Sequence, residues 1–137
     1  MENYGVIASL PNKVILSPDN FLYINSGINF IWGNFYGNFT TWLNIYQLNL
    51  APTEFDASRV LGAENTLWGE VNTDSTLDVY LWARSSALAE RLWTGNHLSA
   101  ATAEIDMLDL GRRLSFMEDL LVERGISAAP VTNRFCK

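Results

Sequence analysis

One segment constrains the fold more than any other, because it joins a short apolar run to an aromatic residue and an acid. It reads V-L-G-A-E-N-T-L-W-G-E from Val60 to Glu70. The apolar run is typical of a buried strand, which delivers Trp68 and Glu70 at its far end. The next apolar segment, Leu81 to Trp93, has the spacing of a helix. The order of strand, aromatic–acid pair and helix predicts one unit of a parallel α/β fold.

The residue types at the end of this strand suit a sugar-binding subsite. An aromatic ring can cover the apolar face of a sugar, and a carboxylate can accept hydrogen bonds from hydroxyl groups. In parallel α/β barrels such groups lie at the carboxyl ends of the strands. Taken alone, Trp68 could equally be a core residue that packs the top of a barrel, and Glu70 a solvated loop acid.

Composition narrows the class of protein. The chain has 137 residues, is 48% hydrophobic and carries a net charge of −6. These values indicate a globular domain and argue against nucleic acid or an anionic membrane as the partner. No apolar run reaches the roughly 20 residues of a membrane span, and the N-terminus shows no signal-peptide pattern. We expect no cofactor, and we expect no metal site because His97 has no neighbouring cysteine or histidine.

Two further regions precede the Trp68 segment. The apolar run Lys13–Ser17 predicts a second strand, buried on both faces as in a parallel sheet. Residues 19–57 predict a long, aromatic-rich packed loop, with a short helical turn over Trp42–Tyr46.

The second half of the chain predicts two helices. Ser75 and Asp78 form a candidate capping pair for the first, whose apolar face carries Leu77, Leu81, Leu88 and Leu92. The second helix is expected over about Ala101–Arg124, with a stripe of Leu110, Leu114, Met117 and Leu121. Gly125 suits its end, and an irregular tail follows.

Together these patterns closely resemble the β-N-acetylhexosaminidases, the family 20 glycoside hydrolases. The family motif runs roughly G-G/A-E-x-x-x-W-G/S-E, then L-W-P-R-A-S-A-x-A-E-R-L-W. The segment L-V-E-R-G-I-S-A-A-P from Leu121 to Pro130 also resembles the closing pattern of the family. The resemblance implies that residues 1–137 are the C-terminal portion of a (β/α)₈ barrel, an incomplete domain holding about its last two βα units and terminal helix. A complete barrel takes about 250 residues.

The resemblance also implies roles for individual residues. Family members use a substrate-assisted retaining mechanism, in which the 2-acetamido oxygen of the sugar attacks its own anomeric carbon. Tyr23 matches the tyrosine that orients the acetamido group, and Trp68 matches a wall of the acetamido pocket. Glu70 matches the carboxylate that holds the 4- and 6-hydroxyls. The alternative for Tyr23 is a loop aromatic that covers the core.

Three departures from the family pattern are visible. Asn25 stands where the family has a sugar-binding aspartate, so we expect it to bind substrate more weakly. Ala83 replaces the proline of W-P-R, and Cys136 lacks its family partner because Asp119 stands at that position. The catalytic Asp-Glu pair is absent from these 137 residues. We therefore expect the isolated segment to be inactive.

Two functions follow from the resemblance. The first is part of an enzyme that hydrolyses terminal β-linked GlcNAc or GalNAc from glycans or chitooligosaccharides. The second is a non-catalytic remnant that binds sugar or a partner chain. The resemblance also implies a secretory route to the lysosome or cell exterior, allows a dimer of the full-length enzyme, and gives the sequon at Asn38 a use as a glycosylation site.

Overall fold

The computed structural model describes residues 8–27, 39–50, 56–69, 72–94 and 106–131. These residues form a mixed α/β arrangement with two strands and four helices of four residues or more. The strands are β1 (Val14–Leu16) and β2 (Val60–Ala63), and a short 3₁₀ turn, Ala57–Arg59, leads into β2. The helices are α1 (Asp19–Leu22), α2 (Trp42–Gln47), α3 (Asp74–Trp93) and α4 (Met107–Glu123).

The two strands pair in parallel, as the sequence predicts. Val14 lies opposite Val60 and Leu16 opposite Ala63, with a register shift just after Val14. Parallel strands must be joined by a crossover rather than a tight turn, and here the connection contains α1 and α2. Helix α2 confirms the short helical turn predicted over Trp42–Tyr46.

Only one face of this sheet is covered by described residues. Leu16 and Val60 are buried, whereas Ile15 and Leu61 are 61% and 60% exposed. The prediction that β1 is buried on both faces does not hold for the described part of the chain. The physical reason is that the described helices supply no apolar surface for the second face, although a parallel sheet normally has both faces covered.

The long helix α3 organises the core. One apolar cluster joins it to α2 and to the segment after β1, and consists of Leu22, Ile24, Ile45, Leu50 and Leu88. A second cluster joins it to α4, and consists of Tyr46, Ala83, Ala87, Leu110, Leu114 and Val131. Of the predicted apolar face of α3, Leu88 is buried but Leu77 is 43% exposed.

The N-cap of α3 lies two residues earlier in the chain than the sequence predicts. Thr73 is the N-cap, and its backbone N–H donates a hydrogen bond to Thr76 Oγ1 at 3.0 Å. The predicted capping pair of Ser75 and Asp78 is wrong, because both residues already lie inside the helix. A threonine–threonine box satisfies the first turn as well as the expected serine–acid pair.

Helix α4 begins and ends at recognisable caps. The Asp106 carboxylate accepts from the N–H groups of Leu108 and Asp109, both at 3.0 Å. At the other end Gly125 adopts a φ of 82°, which confirms it as the stop residue. The predicted start near Ala101 is wrong, because Asp106 is an extended N-cap and the helix begins at Met107. Met117 was expected in the buried stripe but is 43% exposed. None of the described helices combines the length and apolarity that crossing a membrane requires.

A buried arginine fixes α3 to the segment after β1. Arg84 is 4% exposed and donates to the carbonyl of Ile24 at 2.6 Å and to the carbonyl of Tyr80 in its own helix at 2.8 Å. Its guanidinium also lies 4.9 Å from the centre of the Phe39 ring. Burial lowers the pKa of Arg84 to about 10, so the side chain remains protonated at neutral pH.

Replacing Arg84 by methionine should lower the free energy of unfolding by about 1–3 kcal/mol, because the buried Ile24 carbonyl loses its donor. The matched control is Arg112→Met on the exposed face of α4, which should change stability by no more than about 0.5 kcal/mol. Urea denaturation followed by circular dichroism measures both. Equal urea midpoints for the two variants would contradict a stabilising hydrogen bond from Arg84 to the Ile24 carbonyl.

Gly27→Ala should destabilise the fold by at least about 2 kcal/mol, through the strain of a left-handed conformation and through a steric clash. Gly27 has a φ of 73°, and a Cβ atom there would lie 2.3 Å from the backbone nitrogen of Phe39. Gly125→Ala is the control, because its φ is also positive but no atom lies within 4 Å of its added Cβ. Chemical denaturation should rank Gly27→Ala well below Gly125→Ala; the reverse order would exclude the close approach.

Candidate functional site at the carboxyl end of the sheet

The pairing of the two strand segments continues beyond β1 and β2. Tyr23 and Thr66 form an isolated parallel bridge. The N–H of Ile24 donates to the Thr66 carbonyl at 2.9 Å, and the N–H of Thr66 donates to the Leu22 carbonyl at 2.9 Å. Helix α1 is thus an interruption, after which the chain returns to the parallel register. The carboxyl ends of both segments therefore lie side by side.

The next pair along this ladder is Asn25 and Trp68. The Asn25 side chain replaces a backbone partner: its Oδ1 accepts from the Trp68 N–H at 2.5 Å, and its Nδ2 donates to the Trp68 carbonyl at 2.8 Å. Asn25 is 4% exposed, so both hydrogen bonds form away from water. Asn72, just before α3, donates a second hydrogen bond to the same carbonyl at 2.6 Å.

The Trp68 side chain is exposed to solvent, whereas its backbone is held by hydrogen bonds. It is 59% exposed although the main chain on which it stands is held by two asparagine side chains. An indole buries a large apolar area when it contacts another ring or an apolar face. An exposed indole on a fixed backbone is suited to contact a ligand or, in a complete barrel, side chains of other strands, so both predictions for Trp68 stay open.

The structure brings three of the four candidate site residues together. Tyr23, Asn25 and Trp68 lie on two adjacent parallel segments, joined by the contacts described above. Tyr23 is half-buried. Glu70 lies outside the described residues, as do Trp32, Asn38, His97 and Cys136, so their predicted roles stay predictions.

Two residues that support this edge were not expected from the sequence. The described acceptors of Arg84 are carbonyl groups, and one of them belongs to Ile24, which lies between Tyr23 and Asn25. Asn72 showed no pattern beyond a polar turn. The signal for Arg84 was its place between Leu81 and Leu88, because a cation inside an apolar stretch often has a buried partner.

In residues 8–27, 39–50, 56–69, 72–94 and 106–131, no group of three histidine, cysteine or acidic side chains is close enough to hold an ion. The edge offers an aromatic surface and a phenol, and the amides of Asn25 and Asn72 bind the Trp68 backbone. An aromatic surface can stack on a ring, and a phenol can exchange hydrogen bonds with hydroxyl or amide groups.

Comparison with known proteins agrees with this chemistry. Residues 3–96 match the model of "Glycosyl hydrolase family 20, catalytic domain". The chain is 30% identical to a "Beta-hexosaminidase" of Emericella nidulans, in a match that covers 99% of the chain and 27% of that protein. It is 34% identical to a "Chitooligosaccharidolytic beta-N-acetylglucosaminidase" of Ostrinia furnacalis, over 90% of the chain and 20% of that protein.

A third relative is the "Beta-hexosaminidase subunit beta" of Sus scrofa, 36% identical over 69% of the chain and 17% of that protein. The chain thus spans about a quarter or less of the length of these relatives. The family model covers well over half of the 137 residues, and its match includes both strands, the edge that carries Tyr23, Asn25 and Trp68, and all of α3. The chain belongs to glycosyl hydrolase family 20, a family of glycosidases.

Proposed function

We propose that this chain is the C-terminal slice of the catalytic barrel of a β-N-acetylhexosaminidase and supplies one side of its sugar pocket. The observation that carries the proposal is the exposed Trp68 indole on a hydrogen-bonded backbone at the carboxyl end of a parallel strand pair. In parallel α/β barrels the active site is built at that end of the strands. The substrate class is terminal, non-reducing β-linked N-acetylhexosamine.

The uncovered sheet face supports the barrel part of the proposal. Ile15 and Leu61 are exposed on a parallel pair that has no further strand in the described residues. Closing a barrel would surround that face with side chains from the other strands, which is how a barrel interior is filled. The face that α3 covers would then be the outer face.

The chemistry assigned to this slice is positioning rather than proton transfer. In the substrate-assisted mechanism the acetamido oxygen must approach the anomeric carbon, and restricting that group raises the rate. Trp68 would form a wall of the acetamido pocket, and the Tyr23 hydroxyl would bind the acetamido oxygen. Glu70 would accept from the sugar hydroxyls. The general acid would come from another part of the barrel, because this sequence has no Asp-Glu pair.

Within the same proposal the full-length enzyme enters the secretory route, and its glycan is cleaved in the lysosome or outside the cell. The acidic net charge of −6 agrees with a neutral sugar substrate better than with a polyanion. A dimer of the full-length enzyme remains a prediction from the family resemblance.

The overall proposal is tested by transplanting the whole chain into the Ostrinia furnacalis relative in place of its matching segment. We expect the chimera to hydrolyse 4-nitrophenyl β-N-acetylglucosaminide, and the galactosaminide tests the second sugar. A folded chimera, judged by circular dichroism, that binds sugar without turnover would favour the non-catalytic remnant. A folded chimera with neither property would overturn the proposal.

In that chimera Trp68→Ala should lower kcat/KM by about tenfold to a hundredfold, with part of the loss in kcat, because positioning acts in the transition state. Trp93→Ala is the matched control: Trp93 is 92% exposed but lies at the far end of α3, and its removal should leave kinetics unchanged. If both variants keep the activity of the parent while only the melting temperature of Trp68→Ala falls, Trp68 is structural.

Glu70→Gln should cost about 1.5–3 kcal/mol of transition-state binding, because it keeps the shape and removes a charged acceptor. At tenfold per about 1.4 kcal/mol this is roughly a ten- to hundredfold loss in kcat/KM. Glu123→Gln, at the exposed end of α4, makes the same chemical change away from the site. Steady-state kinetics measures both variants. Equal losses in kcat/KM would contradict the assignment of Glu70 to the pocket.

A further inference from the structure

The contacts of Asn25 point to a role different from direct sugar binding. We propose that Asn25 is a positioning residue, which holds the Trp68 backbone through its side-chain amide and so fixes the indole as a wall of the sugar pocket. The inference rests on the proposed function for the consequence in catalysis. The hydrogen bonds themselves do not depend on it.

The geometry requires an amide at this position. The Trp68 backbone presents one donor and one acceptor to Asn25. Its N–H donates to Asn25 Oδ1 at 2.5 Å, and its carbonyl accepts from Asn25 Nδ2 at 2.8 Å. A carboxylate could accept from the N–H, but it would place an oxygen against the Trp68 carbonyl, because an ionised carboxylate has no proton to donate. An amide turned the other way would set two donors against each other.

Burial separates the positioning role from a sugar contact. Asn25 is 4% exposed, whereas the Trp68 side chain is 59% exposed. The buried Asn25 side chain therefore restricts the Trp68 backbone, and the exposed Trp68 side chain offers the surface that can bind a sugar. The arrangement also explains how asparagine can stand where the family resemblance expects a sugar-binding aspartate without leaving a buried group unpaired.

The neighbouring contacts support the same function. Arg84 holds the Ile24 carbonyl, so the residue just before Asn25 is fixed to α3. Asn72 donates to the Trp68 carbonyl from the other side at 2.6 Å. The backbone around Trp68 is therefore tied to both the first strand segment and the start of α3. The indole can then move mainly by rotation about its own side-chain torsions.

The first experiment tests the hydrogen bonds without any use of sugar. Backbone amide exchange is measured by NMR on the 137-residue chain with ¹⁵N-labelled tryptophan, and Trp68→Phe assigns the Trp68 signal. We expect a slowly exchanging Trp68 amide that becomes at least about tenfold faster in Asn25→Leu, which removes both polar atoms. The amide of Trp82, inside α3, should not change.

Two outcomes of this experiment would overturn the proposal: a Trp68 amide that is unprotected in the parent chain, or one that exchanges equally slowly in Asn25→Leu. If Asn25→Leu also releases Trp82, the whole fold has opened and Asn25→Asp decides instead. That variant keeps the acceptor and loses the donor, so the Trp68 amide signal should shift while Trp82 stays in place. An unshifted Trp68 signal would count against the pairing. Asn12→Asp is the control for the added charge at an exposed site.

The second experiment separates positioning from direct binding by kinetics in the chimera. If Asn25 were a weakened sugar ligand, Asn25→Asp would restore the family residue and raise kcat/KM. Positioning predicts the opposite: a fall of about tenfold or more, with a loss in kcat, because the indole is no longer aligned. Asn12→Asp should have no effect.

A double-mutant cycle with Trp68→Ala completes the test. If Asn25 acts through the indole, Asn25→Asp should cause no further loss once that indole is absent. An undiminished effect in the Trp68→Ala background would show a separate role and overturn the proposal. If Trp68→Ala alone leaves activity unchanged, the proposed function fails, while the amide exchange still decides whether Asn25 holds the Trp68 backbone.

Discussion

Parallel pairing between the two strand segments is the constraint on which the rest of the described structure depends. It begins in β1 and β2, is interrupted by α1, and resumes at Tyr23 and Thr66. Because the strands run in the same direction, residues that follow them reach the same edge of the sheet. Tyr23 and Thr66 are 43 positions apart in the numbering of the chain, yet this register makes them neighbours and brings Trp68 to Asn25.

The backbone at this edge is stabilised mainly by side chains rather than by further strand pairing. Beyond Thr66 the ladder continues through the amide of Asn25, and Arg84 satisfies the carbonyl of Ile24. Each of these polar groups is buried, so each would be costly without its partner. The arrangement fixes the main chain and leaves one large side chain, that of Trp68, exposed to solvent.

The sequence predicts those features that arise from local pattern. The apolar run at β1, the helical spacing of α3 and the glycine after α4 each carry their signal within a few residues, and all three are confirmed. The predicted N-cap of α3 was wrong because Thr73 and Ser75 are both residue types that favour the N-cap position. Pairing across the chain has no local signal, which is why the Asn25–Trp68 contact required the structure. The family resemblance assigns both Asn25 and Trp68 to the sugar, whereas the structure pairs the Asn25 side chain with the Trp68 backbone.

Folding and catalysis have a common requirement in the proposed barrel. The exposed face formed by Ile15 and Leu61 needs apolar partners from other strands, and the pocket beside Trp68 needs a general acid. In a closed barrel the same set of neighbouring strands would supply both. Stability and activity should then appear together when the slice is completed, because the strands that cover the sheet face are those whose carboxyl ends deliver the proton donor. The hydrogen bonds of Asn25 and Arg84 lie within the slice itself, so the Trp68 backbone does not need those other strands to be held in place.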